Sequence, residues 1–436
     1  MILHGRLFGL LAGGLLLAFI ALMDPSVLRL VWPYHLGLLL LAWATYFLAP
    51  KGSQVRLERR FDRVMSVRVP NLVRLRVTND GDAPIRFRLR DEPPEEFEAD
   101  RQEFDLRLEP GESRDLRYHV TPRDRGDFFF RDSFIRAPAP LGLVSRQSRL
   151  PTREIVRVYP NLLAVREFDL LKQRGHLRQI GIRRSRLKGV GTDFESLREY
   201  TAGDDFRKIE WKATARRGRL MVKEFEAERN QPVILVIDHG RLMMAEVGPA
   251  EKLDLVLDAA LLLSNAAATA HDQVGLLVYA DKVERWIAPK RGRMQVGAII
   301  EALHALRAQP IEPDSKGAFG YLAARWKRRG LMVVFTEIED PDAARGMLAV
   351  LGPLARRHLC LVVTVSDPHL RSQLAADIET PSGPFLRTAA ALYQREREAA
   401  HRLLNQQGVR TLDAEPEELG AALVNYYLRI KATAQL

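Results

Sequence analysis

Val233-Ile-Leu-Val-Ile237, running straight into Asp238-His239-Gly240-Arg241-Leu242, is the stretch that decides the fold. Five consecutive aliphatic residues, four of them β-branched, have no polar alternation. They therefore form a strand buried on both faces, as the strands of parallel sheets are. The same kind of run returns at Val274-Gly-Leu-Leu-Val278, Leu331-Met-Val-Val-Phe335 and Cys360-Leu-Val-Val-Thr-Val365. Between and after these runs lie helical patterns, Leu253 to Thr269, Met294 to Arg307 and Phe385 to Gln407. Strands alternating with helices predict a mostly parallel, doubly wound sheet over residues 231–436, covered by helices on both faces. No Gly-x-Gly-x-x-Gly follows the first strand and no phosphate-binding Gly-Lys-Ser/Thr occurs, which disfavours a nucleotide site. In open sheets of this kind the ligand crevice lies at the carboxyl ends of the strands, where Asp238 stands.

Immediately upstream, residues 151–230 hold the densest mixture of aromatic, arginine and carboxylate residues in the chain. Phe194-Glu-Ser-Leu-Arg-Glu-Tyr200 is followed by Gly203-Asp204-Asp205 and Arg207-Lys-Ile-Glu-Trp211-Lys-Ala-Thr-Ala-Arg216. Asp204 or Asp205 is placed to cap a short helix with Phe206 and Ile209 on one face, ended by Gly218. Arg198, Glu199, Asp204, Arg207 and Arg216 form either an internal ion-pair network or a charged docking surface. The network is the expected reading, because charges beside aromatics commonly satisfy one another. Catalysis by Glu199 or Asp204 lacks an accompanying His or Cys nucleophile.

The pattern Leu197, Arg198, Glu199, Tyr200, Gly203, Asp204, Arg207, Ile209, Trp211, Ala215 and Arg216 resembles the signature of the bacterial family labelled domain of unknown function 58. Arg125-Gly126 and Leu141-Gly142-Leu143 extend the resemblance upstream. It implies a membrane protein that partners a MoxR-type AAA+ ATPase in assembling or remodelling other proteins. The α/β region also resembles von Willebrand factor A domains, which hold a divalent cation with Asp-x-Ser-x-Ser, a Thr from a second loop and an Asp after the fourth strand. Here Asp238 remains, but Gly240 and Leu242 stand where hydroxyl ligands are needed, Ser315 heads the second loop and Glu337 stands in for the last Asp. A hard cation wants near-octahedral oxygen ligation, so no bound metal and no other cofactor is expected. Asp238 and Glu337 are expected instead to cap helices or to pair with Arg241 and Lys316. The alternative is a metal-dependent ligand-binding or hydrolytic protein using a divergent adhesion-type site at Asp238, Ser315 and Glu337.

Residues 51–150 change period. Leu72-Val-Arg-Leu-Arg-Val77 and Phe87-Arg-Leu-Arg alternate every second residue and are separated by Asn79-Asp80-Gly81-Asp82 and Pro110-Gly111, which predicts a small antiparallel, immunoglobulin-like sandwich. Residues 1–50 are apolar. Leu7 to Met23 carries no charge and Leu30 to Ala49 only His35, so two spans in a transmembrane hairpin are expected. Arg6, Lys51, Arg56, Arg59, Arg60 and Arg63 flank the outer ends, and the connecting loop carries only Asp24 and Arg29. This asymmetry places both ends and the soluble domains in the cytoplasm of a bacterial inner membrane.

The net charge of +11 suits an anionic lipid surface better than nucleic acid, although Arg183-Arg184-Ser185-Arg186-Leu187-Lys188 is a basic run. The single cysteine, Cys360, excludes an intramolecular disulfide framework or a multi-Cys zinc site. Arg395-Glu-Arg-Glu398 reads as a solvated helix face, and the Tyr426-Tyr427 pair as core. The function these readings support is a membrane-anchored protein-interaction module, not an enzyme. Oligomeric state is left open.

Overall fold

The computed structural model describes residues 2–24, 26–61, 64–161, 188–201, 204, 206–226, 230–375 and 383–433. The chain is a mixed α/β protein of two compact units, Met1–Tyr159 and Pro160–Leu436.

The first unit begins with helices α1 (Gly5–Ile20) and α2 (Leu28–Leu48). At 1.5 Å per residue α1 is about 24 Å long and α2 about 32 Å, against a hydrocarbon core of about 30 Å. Two spans were expected. Among the described residues only the stretch starting at Leu28 is long and apolar enough to cross a bilayer, and α1 is a shorter apolar helix. The two helices pack tightly. Tyr34 donates its hydroxyl to the Leu10 carbonyl at 2.8 Å, and a Cβ on Gly14 would lie 2.5 Å from His35 Nε2, so this glycine permits the approach.

The base of the hairpin is fastened to the β-structure behind it. Leu7, Leu38, Ala42 and Ala49 share a buried cluster with Ala139, Leu143 and Val144. The Arg146 guanidinium lies 4.8 Å from the Tyr46 ring centroid and donates to the Ala49 carbonyl.

Residues 55–159, joined at one sheet edge by the two-residue strand Ile2–Leu3, form a five-, a four- and a three-stranded sheet. The alternating runs pair as their period requires. Asn71–Asn79 lies between Val55–Phe61 and Ser113–Pro122, all antiparallel, with Val73, Leu75 and Val77 in the core. One expectation from charge changes here. Arg59 was counted among the membrane-flanking cations, but it is buried and held by Asp91, with Ser133 and the Arg131 and Thr152 carbonyls around it. Arg56 and Arg60 are tied to Asp80 and Glu58. Arg63 lies outside the described residues.

Among the described residues of the second unit the first pair of strands is antiparallel, β1 (Lys188–Glu199) and β2 (Met221–Glu226). Between them sits the short helix α3 (Trp211–Arg217), ended by Gly218 at φ +66°, where the left-handed conformation suits glycine. The main sheet follows: β3 (Pro232–Asp238), β4 (Gln273–Tyr279), β5 (Val283–Lys290), β6 (Leu331–Phe335), β7 (Leu359–Val365) and β8 (Arg410–Ala414). Their spatial order is β5-β4-β3-β6-β7-β8, parallel throughout except for the antiparallel edge strand β5. Chain order therefore reverses at β3, and the crevice of such a sheet opens beyond its end.

Helices cover both faces. On one, α4 (Lys252–Thr269), α5 (Arg293–Leu303) and the C-terminal helix Pro416–Ala432 pack on Val233, Leu235 and Ile237. On the other, α6 (Ser315–Arg325), α7 (Pro341–Ala355) and a long helix α9 (Gly383–Gln406) pack on Ile234 and Val236. The short helix α8 (Pro368–Ala375) precedes α9. The last helix, α10, is Pro416–Ala432. Alternate residues of β3 thus enter opposite cores, which is why its sequence has no polar face.

Candidate functional site

Two places gather the residues singled out by sequence: the carboxyl edge of the main sheet and the signature segment between β1 and β2.

At the sheet edge, Asp238 is the last residue of β3 and is 2% exposed. Its Oδ1 accepts from the Gly240 amide and its Oδ2 from the Thr336 hydroxyl, each at 2.7 Å. Burial pushes its pKa up, opposed by those two hydrogen bonds. A hydroxyl at position 240 is excluded by space as well as by residue type. A Cβ there would lie 2.8 Å from the Ile311 carbonyl and 2.9 Å from Pro313. Leu242 sits half-buried in the turn Arg241–Met244, and Ser315 Oγ is 3.3 Å from the Tyr279 hydroxyl. That hydroxyl is kept protonated by burial and by the Asp238 charge.

Glu337 has a different role. It stands two residues beyond the end of β6, and its side chain is 1% exposed. Its Oε1 accepts from the Val365 amide at 2.9 Å, while Oε2 lies 3.0 Å from Lys252 Nζ and 2.8 Å from Arg397. Arg397 goes on to Asp413 at 2.7 Å and to the Val365 carbonyl at 3.0 Å. Burial alone would lower the Arg397 pKa. The Glu337 and Asp413 charges outweigh it and raise it, so this arginine stays cationic.

These contacts correct two expectations. Glu337 pairs with Lys252 and Arg397, not with Arg241 or Lys316; Arg241 instead faces Glu312 at 3.4 Å. The Arg395–Glu398 run is not wholly solvated either, since Arg397 is 3% exposed and lies at the centre of the edge cluster. Its position was legible in part. Ala390, Arg397, Ala400 and Leu404 are buried at helical spacing, so Arg397 falls on the apolar stripe of α9. Nothing in the sequence pointed to Lys252, at the start of α4, to Asp413, on β8, or to Thr336, beside Glu337.

The edge thus presents one carboxylate spent as a turn cap and one spent on two cations. Neither has free oxygen pairs aimed at a shared ion. Among the described residues no group of three or more His, Cys, Asp or Glu is arranged to hold a metal. His239 is buried, with Nδ1 2.9 Å from the Arg307 carbonyl and Nε2 3.3 Å from the Glu284 carboxylate.

In the signature, Arg198 reaches Asp204 with both terminal nitrogens, at 2.7 and 2.5 Å. Thr201 donates its amide and hydroxyl to the same carboxylate. Arg198 above all, with Thr201, holds the Asp204 carboxyl well below the usual range. Asp204 therefore closes its own loop, and Asp205, the other capping candidate, lies outside the described residues. Glu199 lies apart, paired with Arg219 at 2.7 Å.

Phe206 and Ile209 do not share a face. Ile209 is buried, while Phe206 is 67% exposed. Trp211 is 66% exposed and Leu220 42%, and Tyr200 stacks obliquely on Phe206 at 5.5 Å. Arg207 and Arg216 are exposed, Arg216 in the last turn of α3, where a cation is favoured by the helix dipole. Gly203 and the basic run Arg183 to Leu187 lie outside the described residues.

The comparisons with known proteins agree with the signature. The family described as "Protein of unknown function DUF58" matches residues 196–374, which supports the resemblance to that family. An uncharacterized protein of Mycobacterium tuberculosis is 24% identical over 197 residues, 45% of this chain and 59% of the relative. The chain thus spans under two thirds of that relative's length. The uncharacterized protein YeaD of Bacillus subtilis is 28% identical over 128 residues, 29% of this chain and 31% of YeaD. Among solved structures, the conserved hypothetical protein BatB of Bacteroides thetaiotaomicron is similar at 13% identity and a TM-score of 0.31, over 47% of this chain and 99% of BatB.

Proposed function

We propose that this protein is a membrane-anchored interaction module that docks a MoxR-type AAA+ ATPase through the exposed apolar side chains of the signature segment, Phe206, Trp211 and Leu220. The observation that carries the reading is the exposure of these three apolar residues next to Arg216 and Arg217, within a segment whose Arg198–Asp204 pair holds its own loop in place. Aromatic and arginine side chains at a solvent-facing patch are the groups that supply most of the energy in protein interfaces. The partner class comes from the family resemblance.

We read the second unit as a von Willebrand factor A-like domain whose metal crevice has been converted into a structural lock. The strand order reversing at β3, with Asp238 at its end, supports this. Closure of position 240 by Ile311 and Pro313 and neutralisation of Glu337 by Lys252 and Arg397 weigh against metal-dependent capture or hydrolysis.

The anchor is read as a two-pass hairpin of the bacterial inner membrane. Leu15, Leu16 and Phe19 of α1 and Leu36, Leu39 and Trp43 of α2 are exposed apolar residues suited to lipid. We read the rest of the chain as cytoplasmic, a reading supported by Arg6 and Lys51 at the outer ends of the two helices. Ser26→Cys in a Cys360→Ala background tests this: impermeant thiol reagent applied to intact spheroplasts should label it, and labelling only after lysis would reverse the orientation.

The central test is capture of a nucleotide-trapped MoxR-type ATPase by the full chain in detergent. Phe206→Ala combined with Trp211→Ala should reduce capture at least ten-fold. Undiminished capture by this double variant sinks the docking face, and no capture by the parent chain sinks the partner class.

A further inference from the structure

A groove of about 710 Å³ runs between α6 and α7, on the sheet face opposite α4. Its volume falls in the range of ordinary ligand sites, roughly 300–1,000 Å³. Its floor is apolar, with Phe319 and Leu354 buried and Val350 half-buried. Its open side is edged by the small residues Gly320, Ala323 and Ala349.

Two features of its wall do not belong to a packing defect. His358 is 3% exposed, yet neither ring nitrogen has a hydrogen-bond partner, and the Trp326 Nε1–H is likewise buried and unpartnered. Burying such a group without a partner is unfavourable, because it gives up its hydrogen bonds to water. Three cations, Lys316, Arg356 and Arg357, line the same groove with no carboxylate among its lining residues.

We infer that this groove is a binding site for a peptide C-terminus, with an aliphatic last side chain on the Phe319–Leu354 floor and the terminal carboxylate received by Trp326 and His358. Indole N–H is a donor only, and a neutral imidazole supplies one more, so the lining residues hold two unpartnered donors, the number that the two oxygens of a carboxylate would take. Burial and the neighbouring Arg357 both lower the His358 pKa, which favours the neutral ring. The charge of the incoming carboxylate is met by the rim cations.

The open side selects a peptide over a free acyl chain. An alkyl chain in a half-open groove keeps one flank in water. A peptide buries one side chain and turns its polar backbone outward past Gly320, Ala323 and Ala349, which are small enough to admit it. This site stands independently of the docking face around Trp211.

The test is calorimetric titration of the full chain in detergent with N-acetyl-dileucine, its C-terminal amide, and hexanoate. The acid should bind saturably, with the amide and hexanoate at least ten-fold weaker. Trp326→Phe keeps the ring but removes the donor, and should cost at least ten-fold in affinity for the acid. His358→Leu should do the same while melting no lower than the parent, because it removes an unsatisfied buried group. Equal binding of acid and amide, no binding of either, or affinity unchanged in Trp326→Phe overturns the inference. Hexanoate binding as tightly as the peptide overturns the choice of occupant.

Discussion

Arg397→Met is the most informative single substitution, because it separates a structural edge cluster from an available ligand site. Arg397 donates to Glu337 at 2.8 Å, to Asp413 at 2.7 Å and to the Val365 carbonyl at 3.0 Å, and its side chain is 4% exposed. Removing one member of a buried ion pair typically costs about 3–5 kcal/mol, since the other charge is left uncompensated. Here the remaining charges are partly provided for. Glu337 keeps Lys252 at 3.0 Å and the Val365 amide at 2.9 Å, and Asp413 is 25% exposed and keeps the Thr364 hydroxyl. The expected cost is therefore at the low end, about 3 kcal/mol, and Met restores most of the lost volume. For a unit of this size that lowers the melting temperature by roughly 6–12 °C.

Differential scanning calorimetry of the parent, Arg397→Met, Glu337→Gln and the double variant measures it. The two single costs should exceed the double cost by about 0.5–3 kcal/mol, the coupling expected of groups in one network. A change within about 0.5 kcal/mol for Arg397→Met, the range of ordinary surface substitutions, would refute the cluster as a structural lock.

Other outcomes follow from the same geometry. Gly240→Ser with Leu242→Ser restores the two missing hydroxyls, yet should confer no calorimetric Mg²⁺ or Mn²⁺ binding and should destabilise, because the new Cβ meets the Ile311 carbonyl at 2.8 Å. Micromolar metal binding by that variant would overturn the closed-crevice reading. Asp238→Asn should show a pH-dependent gain. Burial raises the folded-state pKa of Asp238, so the carboxylate penalises folding once the unfolded chain ionises, above about pH 4, and the penalty grows until the folded group ionises too. Urea denaturation should find parent and variant closest at about pH 4 and the variant relatively more stable toward pH 7; a constant difference would exclude the burial penalty. In the first unit, Asp91→Ala leaves the Arg59 guanidinium buried and should cost about 3–5 kcal/mol in denaturant titration. Phe206→Ala and Trp211→Ala, at exposed positions, should each stay within about 0.5 kcal/mol of the parent in the same assay.

How far the sequence alone reaches depends on the range over which the information acts. The strands β3, β4, β6 and β7 and helix α4 were legible within a residue or so, since an apolar run or a helical period is a local property. The edge strand β5, with its mixed pattern Val283–Lys290, was not predicted, nor were α6, α7, β8 and α10. Their polar faces dilute the signal, and the sheet recruits them by pairing and packing. Hydropathy gave the two expected spans equal weight, whereas continuous helical length separates them: α1 has 16 residues and α2 has 21, and only the stretch from Leu28 is long and apolar enough to cross a bilayer by that measure among the described residues.

The signature announced itself by composition, and sequence placed Asp238 at a strand end. Whether a charge is spent or available is decided by partners far along the chain. Arg59 with Asp91, and Glu337 with Lys252 and Arg397, are separated by 32, 85 and 60 positions. Only tertiary contact brings them within 3 Å or so, and electrostatic energy depends on that distance and on burial. The same holds for Phe206 and Ile209. Three residues apart in sequence, one was left in solvent and the other taken into the core by the β1–β2 pair beneath it.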